Sequence, residues 1–207
     1  MAIKAYNAKQ WEIQAILDGR KMVTRRLPSK RVEDKWFDYE EYVRMVAPPG
    51  SLVLREKDFY KQYPPYQPGD TLYVRETWGF QECRNRANYG MTEDDSFPAS
   101  MHKWHPSIHL PKEAARIWLK VTDVRVERLK DITEEQAIKE GTPYDLCGGW
   151  RPSFYDPDSG GDDPDFIRGF SRLWDSTIKK QDLDHCGWIA NPWVWRIEFE
   201  RCEKPGQ

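Results

Sequence analysis

Apolar and polar positions change period several times along the chain, and each change predicts an element. Trp11, Ala15 and Ile16 fall on one side of a 3.6-residue repeat, which reads as a short amphipathic helix. Asn7 and Gln10 have the spacing of an N-cap and its returning side chain, and Gly19 suits the residue just past the helix end. A strand through Thr24 and Arg26 follows. Residues 71–78 alternate: Leu72, Val74 and Glu76 share one face, and Tyr73, Arg75 and Thr77 share the other. Residues 117–129 alternate first on Ile117, Leu119 and Val121, then out of phase on Val124 and Val126, the mark of a bulge near Asp123. Thr133 and Gln136 form a capping box for a short helix ending at Gly141. Phe166, Phe170, Leu173 and Trp174 recur at helical spacing. A last strand over 193–201 places Trp193, Trp195, Ile197 and Phe199 on one face.

Alternating strands, rather than continuous apolar runs, predict a mixed or antiparallel sheet. The expected fold is α+β: a small curled β-barrel with flanking helices, one domain over 1–207. Three stretches read as loop-like insertions: 28–66, 81–103 and 142–163. The first holds two short β segments, 42–46 and 51–54, either side of a Pro48-Pro49-Gly50 turn.

Composition narrows the function. Lys plus Arg number 32 and Asp plus Glu 34, a net charge of −2, so no global basic field exists to hold nucleic acid. Mean hydropathy is low, yet ten Trp, ten Tyr and eight Phe imply an aromatic-rich core and a folded chain. No stretch has the length and apolarity of a membrane span, and no apolar leader is present; the expectation is a cytoplasmic, monomeric protein. Cys83, Cys147, Cys186 and Cys202 form no C-x-x-C pair, so free thiols are expected and a zinc knuckle is not. His102, His105 and His109 have helical ligand spacing, but Pro106 breaks the helix that would use it, and no metal or cofactor is expected.

The chemistry concentrates where the first helix gives way to a strand. Lys21 and Thr24 lie three residues apart, followed by Arg25 and Arg26. A Thr hydroxyl becomes a nucleophile when a base takes its proton, and a neutral Lys amine can be that base. Thr24 and Arg26 share a strand face, so Lys21 can join them only from the turn, reaching over on its long stem. The plainer reading makes Lys21 a helix-end cation and Thr24 an ordinary strand residue. Arg25, Arg26 and Arg31 form a local basic cluster, read equally well as a solvated face balanced by Glu33, Asp34 and Asp38.

Several segments together resemble the ASCH domain, a PUA-like β-barrel. They are Ile16-Leu17-Asp18-Gly19-Arg20-Lys21-Met22-Val23-Thr24-Arg25-Arg26, Pro68-Gly69-Asp70-Thr71-Leu72 and residues 131–141. Val74-Arg75-Glu76-Thr77-Trp78, Ser107-Ile108-His109-Leu110-Pro111 and Asn191-Pro192-Trp193-Val194-Trp195 resemble its larger phage and prophage branch. Some ASCH members are inferred to bind RNA. Others resemble small amidohydrolases that remove the acyl group from N4-acetylcytidine. The resemblance implies Lys21, Thr24 and Glu140 as catalytic residues, with Arg26 alongside. Arg26, Arg75, Glu76, Trp78 and His109 are expected to bind substrate, His109 by lining the pocket and Trp78 as a nucleobase stacking surface, its alternative being a place in the core. The chain departs from the family at Met22, where Thr is commoner, and in being about twice the minimal length.

The implied function is metal-independent removal of the acyl group from an N4-acylated cytosine nucleoside. Lys21 activates Thr24, and Glu140 delivers and recovers protons. An RNA-binding module without hydrolase activity, or a ribonuclease, are the alternatives. The insertions 28–66 and 142–163 are expected either to border the pocket mouth and tune the acyl group accepted, or to cover edge strands.

Overall fold

The structure, a computed structural model, describes residues 1–48, 51, 54–81, 86–89, 104–147 and 165–206. Its strands are β1 (Ile3–Asn7), β2 (Val23–Arg26), β3 (Thr71–Arg75), β4 (Trp78–Gln81), β5 (Arg86–Tyr89), β6 (Trp104–His105), β7 (Trp118–Arg128) and β8 (Trp193–Cys202). Its helices are α1 (Gln10–Leu17), α2 (Lys30–Val46), α3 (Glu56–Tyr60), α4 (Glu134–Lys139), α5 (Phe166–Thr177) and α6 (Leu183–Cys186). Five strands form a mixed sheet in the order β1-β3-β7-β8-β2, and β5-β4-β6 form a small antiparallel one. The α+β class and the mixed sheet agree with the sequence reading. Among the described residues the strand order ends at β1 and β2 instead of closing on itself, so the expected barrel is an open sheet.

The chain divides into two units: Met1–Met22, Tyr66–Thr122 and Phe199–Gln207 make the first, and Val23–Pro65 with Asp123–Glu198 the second. The division within β7 falls where the sequence predicts a phase shift. Ile117, Leu119 and Val121 are buried before it, and Val126 after it.

In the first unit, β1 runs parallel to β3, from Ile3 opposite Thr71 to Asn7 opposite Arg75. The Pro68-Gly69-Asp70 turn explains this register. Gly69 takes a φ of 89°, where a Cβ is unfavourable, and its N–H donates to the Val121 carbonyl at 2.8 Å. Asp70 Oδ1 accepts the Ala2 N–H at 3.0 Å, and its Oδ2 accepts the Gln67 N–H at 3.0 Å and pairs with Lys4 Nζ at 2.8 Å. One carboxylate thus ties the start of β1 to the start of β3. The core beneath is Tyr6, Ile13, Ile16, Leu72, Val74, Leu119 and Phe199, all buried.

In the second unit, β2 pairs antiparallel with β8, with Thr24 opposite Ile197 and Arg26 opposite Trp195. Leu129, Ile132, Ala137, Phe166, Phe170, Trp174 and Val194 form its main cluster. The α4 capping box is as predicted: Thr133 Oγ1 accepts the Gln136 N–H at 3.3 Å, and Gly141 takes a φ of 78°. The expected β segment at 42–46 is instead the end of α2. Val32, Trp36, Tyr39 and Val43 recur at helical spacing and are the half-buried stripe, with Trp36 packing on Phe59 at 5.2 Å between centroids. Their aromatic and β-branched character imitates a strand locally, but their period is that of a helix. Of the segment 51–54, Leu54 is irregular and exposed, and 52–53 lie outside the described residues, as do the Pro49-Gly50 part of the turn and residues 148–164.

Two stability predictions follow from these contacts. A Cβ on Gly169 of α5 would lie 2.6 Å from Cys147 Sγ and 3.2 Å from Cys147 Cα, so Gly169→Ala should cost roughly 1–3 kcal/mol in urea unfolding. Cys147→Ala in the same chain should recover part of that loss. The second concerns Asp70. Desolvation opposes its charge, but Lys4 and the two amide donors prevail and hold the carboxyl below its usual range. A depressed folded value means the stabilisation is present above the unfolded carboxyl's pKa and fades as pH falls through the folded one. Asp70→Asn should therefore lower Tm at neutral pH, and the gap between the two proteins should narrow as pH falls through the folded carboxyl's lowered range.

Candidate functional site

Lys21 lies in the turn between α1 and β2, as its proposed role requires. Gly19 takes a φ of 74°, and the Arg20 and Lys21 N–H groups both donate to the Ala15 carbonyl at 2.9 Å, folding the chain back against α1. The Lys21 side chain is 1% exposed, and its Nζ lies 3.5 Å from Glu12 Oε1. Glu12 is itself buried. Its Oε1 accepts the Tyr6 hydroxyl at 2.7 Å, and its Oε2 accepts the Lys9 N–H at 2.8 Å. The Trp11 ring stands 5.2 Å from Nζ. This displaces the predicted cap: α1 begins at Gln10, so Glu12 at its third position, not Gln10, reaches back to the helix start.

Thr24, Arg26 and Glu140 belong to the second unit, and Lys21 to the first. Thr24 is buried in β2, and Arg26 is half-buried there. Arg25, between them, is fully buried. Its Nε and Nη2 donate to Glu127 Oε1 at 3.0 and 2.6 Å, Nη1 to Glu140 Oε1 at 3.1 Å, and Nη2 also to Gln136 Oε1 at 2.5 Å. Gln136 and Glu140 stand one turn apart along α4, on the same side, so one guanidinium addresses both. Glu140 is the C-cap of α4, where the helix dipole disfavours a carboxylate. Arg25 offsets that and accounts for a buried acid at a helix end. The basic cluster read at 25, 26 and 31 is thereby corrected: Arg25 faces the interior, not solvent.

Of the five residues expected to bind substrate, Arg26 lies in the second unit, and Arg75, Glu76, Trp78 and His109 lie in the first. Glu76 is 1% exposed and holds Arg116 in a two-pronged pair, at 2.9 and 2.8 Å. Arg75 donates to the Tyr73 hydroxyl at 3.0 Å. Trp78 stacks on His105, 5.0 Å between centroids, and its Nε1–H is buried with no acceptor among the described residues. His109 is exposed at the end of a 3₁₀ turn. A cleft of about 270 Å³ in this unit is lined by Glu76, Thr77, Trp104, Ser107, Ala8, Gln10 and Ile13. Of the four, Glu76 faces it.

The second unit carries a wider groove of about 700 Å³, with Trp36, Tyr60, Arg128, Glu56 and Trp193 on its walls. Burial and the neighbouring Glu56 push the Tyr60 phenol far up, which leaves it protonated. Arg128 lies 4.2 Å from the Trp193 ring, whose Nε1–H donates to Glu56 at 2.7 Å. Among the described residues no group of three His, Cys, Asp or Glu is placed to hold a metal, and no helix is long and apolar enough to cross a membrane. His102 and Cys83 lie outside the described residues.

Two site residues, Glu12 and Arg116, escaped the sequence reading, and Arg25 was read there on a surface cluster. Only Glu12 had a local signal, since a Glu at the third position of a helix commonly returns to the cap. Arg25 yields a direct test. Arg25→Leu leaves Glu127 and Glu140 buried without the guanidinium, and should cost about 3–5 kcal/mol in denaturant unfolding. Arg25→Lys keeps the charge without the fork and should fall between.

No family model and no curated protein matches the chain. Among solved structures it is similar to the ASCH domain from Lactobacillus crispatus JV V101, at 12% identity and a TM-score of 0.36, covering 97% of this chain and 79% of that one. It is similar also to the hypothetical protein PH0355, at 12% identity and a TM-score of 0.40, covering 98% of this chain and 100% of that one.

Proposed function

We propose that this protein is an amidohydrolase that removes the acyl group from N4-acylated cytosine nucleosides without a metal. The observation that supports it is the burial of Lys21, Thr24 and Glu140, with Lys21 and Glu140 each held by an opposite charge. A helix-end lysine or a solvated carboxylate of ordinary kind would lie exposed, as such groups nearly always do. Buried ionisable groups with assigned partners are costly to maintain and recur where chemistry is done.

In this reading Thr24 Oγ attacks the exocyclic amide carbonyl, and its proton is taken up by Lys21 or Glu140. The tetrahedral intermediate collapses as that proton reaches the departing N4 amine. Water then releases the acyl group from Thr24 as a carboxylate. Arg26, Arg75, Glu76, Trp78 and His109 are the residues proposed for substrate contact, and the position of Glu76 on the wall of a cleft supports its part in this. Polynucleotide binding loses support, because one arginine of the expected basic cluster is committed to the interior.

The test is incubation of the purified protein with N4-acetylcytidine, following cytidine release with and without chelator. Release unchanged by chelator is expected. Intact acetylcytidine alongside a salt-sensitive shift of structured RNA would favour the binding module, and shortened RNA the ribonuclease. Within the hydrolase, Thr24→Val keeps shape and strand preference but removes the hydroxyl, and should abolish turnover at near-normal stability. Thr24→Ser should retain part of it. Near-normal rates in Thr24→Val would sink the covalent route.

A further inference from the structure

Glu12 has no part in the reaction as set out above, yet it is one of the most deeply held acids of the first unit. It is 4% exposed, accepts the Tyr6 hydroxyl on one oxygen and the Lys9 N–H on the other, and has Lys21 Nζ at 3.5 Å. Two donors from separate elements, β1 and the start of α1, fix the carboxylate before the lysine is considered. A carboxylate satisfied by a hydroxyl and an amide is favoured in its charged form, and a charged carboxylate beside an amine favours the ammonium. The Trp11 ring presents its π-face region 5.2 Å from Nζ, which adds to the same preference.

We propose that Glu12 is a positioning residue for Lys21: with Tyr6 it holds the Lys21 amine in place as an ammonium. The inference rests on the amidohydrolase reading only for its consequence in the reaction. There Lys21 serves as a charged group, not as a resting neutral base. As the Thr24 Oγ–carbonyl bond forms and the carbonyl π pair moves onto oxygen, a lysine held as an ammonium keeps its proton. The Thr24 proton passes to the Glu140 carboxylate and from there to the N4 amine as the C–N bond breaks. Charge and protons balance with Lys21 unchanged throughout.

The test begins with the protein itself and needs no substrate. In a sample labelled with ¹⁵N-lysine, the Nζ signal of Lys21 is assigned by its absence in Lys21→Met. At neutral pH it should appear as an ammonium protected from rapid hydrogen exchange. A neutral amine there overturns the proposal outright. In Glu12→Gln the Lys21 signal should shift and its exchange should accelerate at least ~10-fold, as loss of a charge-assisted partner implies. Glu12→Asp, which keeps the charge on a shorter stem, should restore part of the protection. An unshifted, equally protected signal in Glu12→Gln overturns it too. If Glu12→Gln does not fold, Tyr6→Phe removes one donor to the same carboxylate, and an unaltered Lys21 signal there counts against the proposal in the same way. In turnover of acetylcytidine, Glu12→Gln should lower kcat with little change in KM. Should the wild-type protein leave acetylcytidine intact while the signals behave as stated, the hydrolase reading fails and the Glu12–Lys21 pair stands.

Discussion

The Arg25 guanidinium is the interaction on which the polar interior of the second unit depends. It takes Glu127 from β7, Gln136 from within α4 and Glu140 from its C-cap, and it lies 5.9 Å from the Phe170 ring of α5. Glu127 accepts in turn from Arg196 of β8. A buried charge is tolerated only when its hydrogen-bonding positions are met with good geometry. A planar fork of five donors meets that condition for several acceptors at once, where an ammonium would serve them as a point charge. The helix that presents Glu140 is thus placed on β2 by a polar contact, and the apolar cluster of Leu129, Ala137, Phe170 and Val194 packs in the same unit.

The first unit repeats the device with different residues. Glu12 holds Lys21, Glu76 holds Arg116, and Asp70 holds Lys4 and the chain start. Glu12 and Asp70 are fixed further by backbone or hydroxyl donors, and Glu76 meets Arg116 in a two-pronged fork. This resolves a tension in the composition. A chain that is 32% charged with low mean hydropathy would ordinarily place almost all of that charge outside. Here part of it is interior and paired, and the aromatic residues supply the apolar area that the aliphatic ones do not.

Elements with a strong local signature were legible in the sequence. Thr133 and Gln136 cap α4 as their spacing requires, Gly19, Gly69 and Gly141 take the positive φ that their turns demand, and the Phe166–Trp174 stripe becomes the buried side of α5. Where two local preferences disagreed, the wrong one was legible: aromatic and β-branched residues in 42–46 imitated a strand while the longer period of α2 ran through them. At the start of α1 the predicted Asn7–Gln10 cap gave way because Asn7 is taken up by β1, so the helix starts at Gln10 and Glu12 accepts the Lys9 N–H.

By itself the sequence determined the α+β class, the position of Lys21 in a turn ahead of Thr24, and the placement of Glu140 at the end of a capped helix. Each follows from interactions spanning a few residues, which spacing encodes. Tertiary structure alone decided the partners. Arg25 meets Glu127 and Glu140 across 102 and 115 residues, and Glu76 meets Arg116 across 40. Nothing in a strand of alternating residues says which charge turns inward, because the desolvation of an arginine is repaid only by acceptors that folding delivers from elsewhere. The open edge of the five-stranded sheet was decided at the same level, since closure depends on how strands meet across the whole chain and not on the alternation within any one of them.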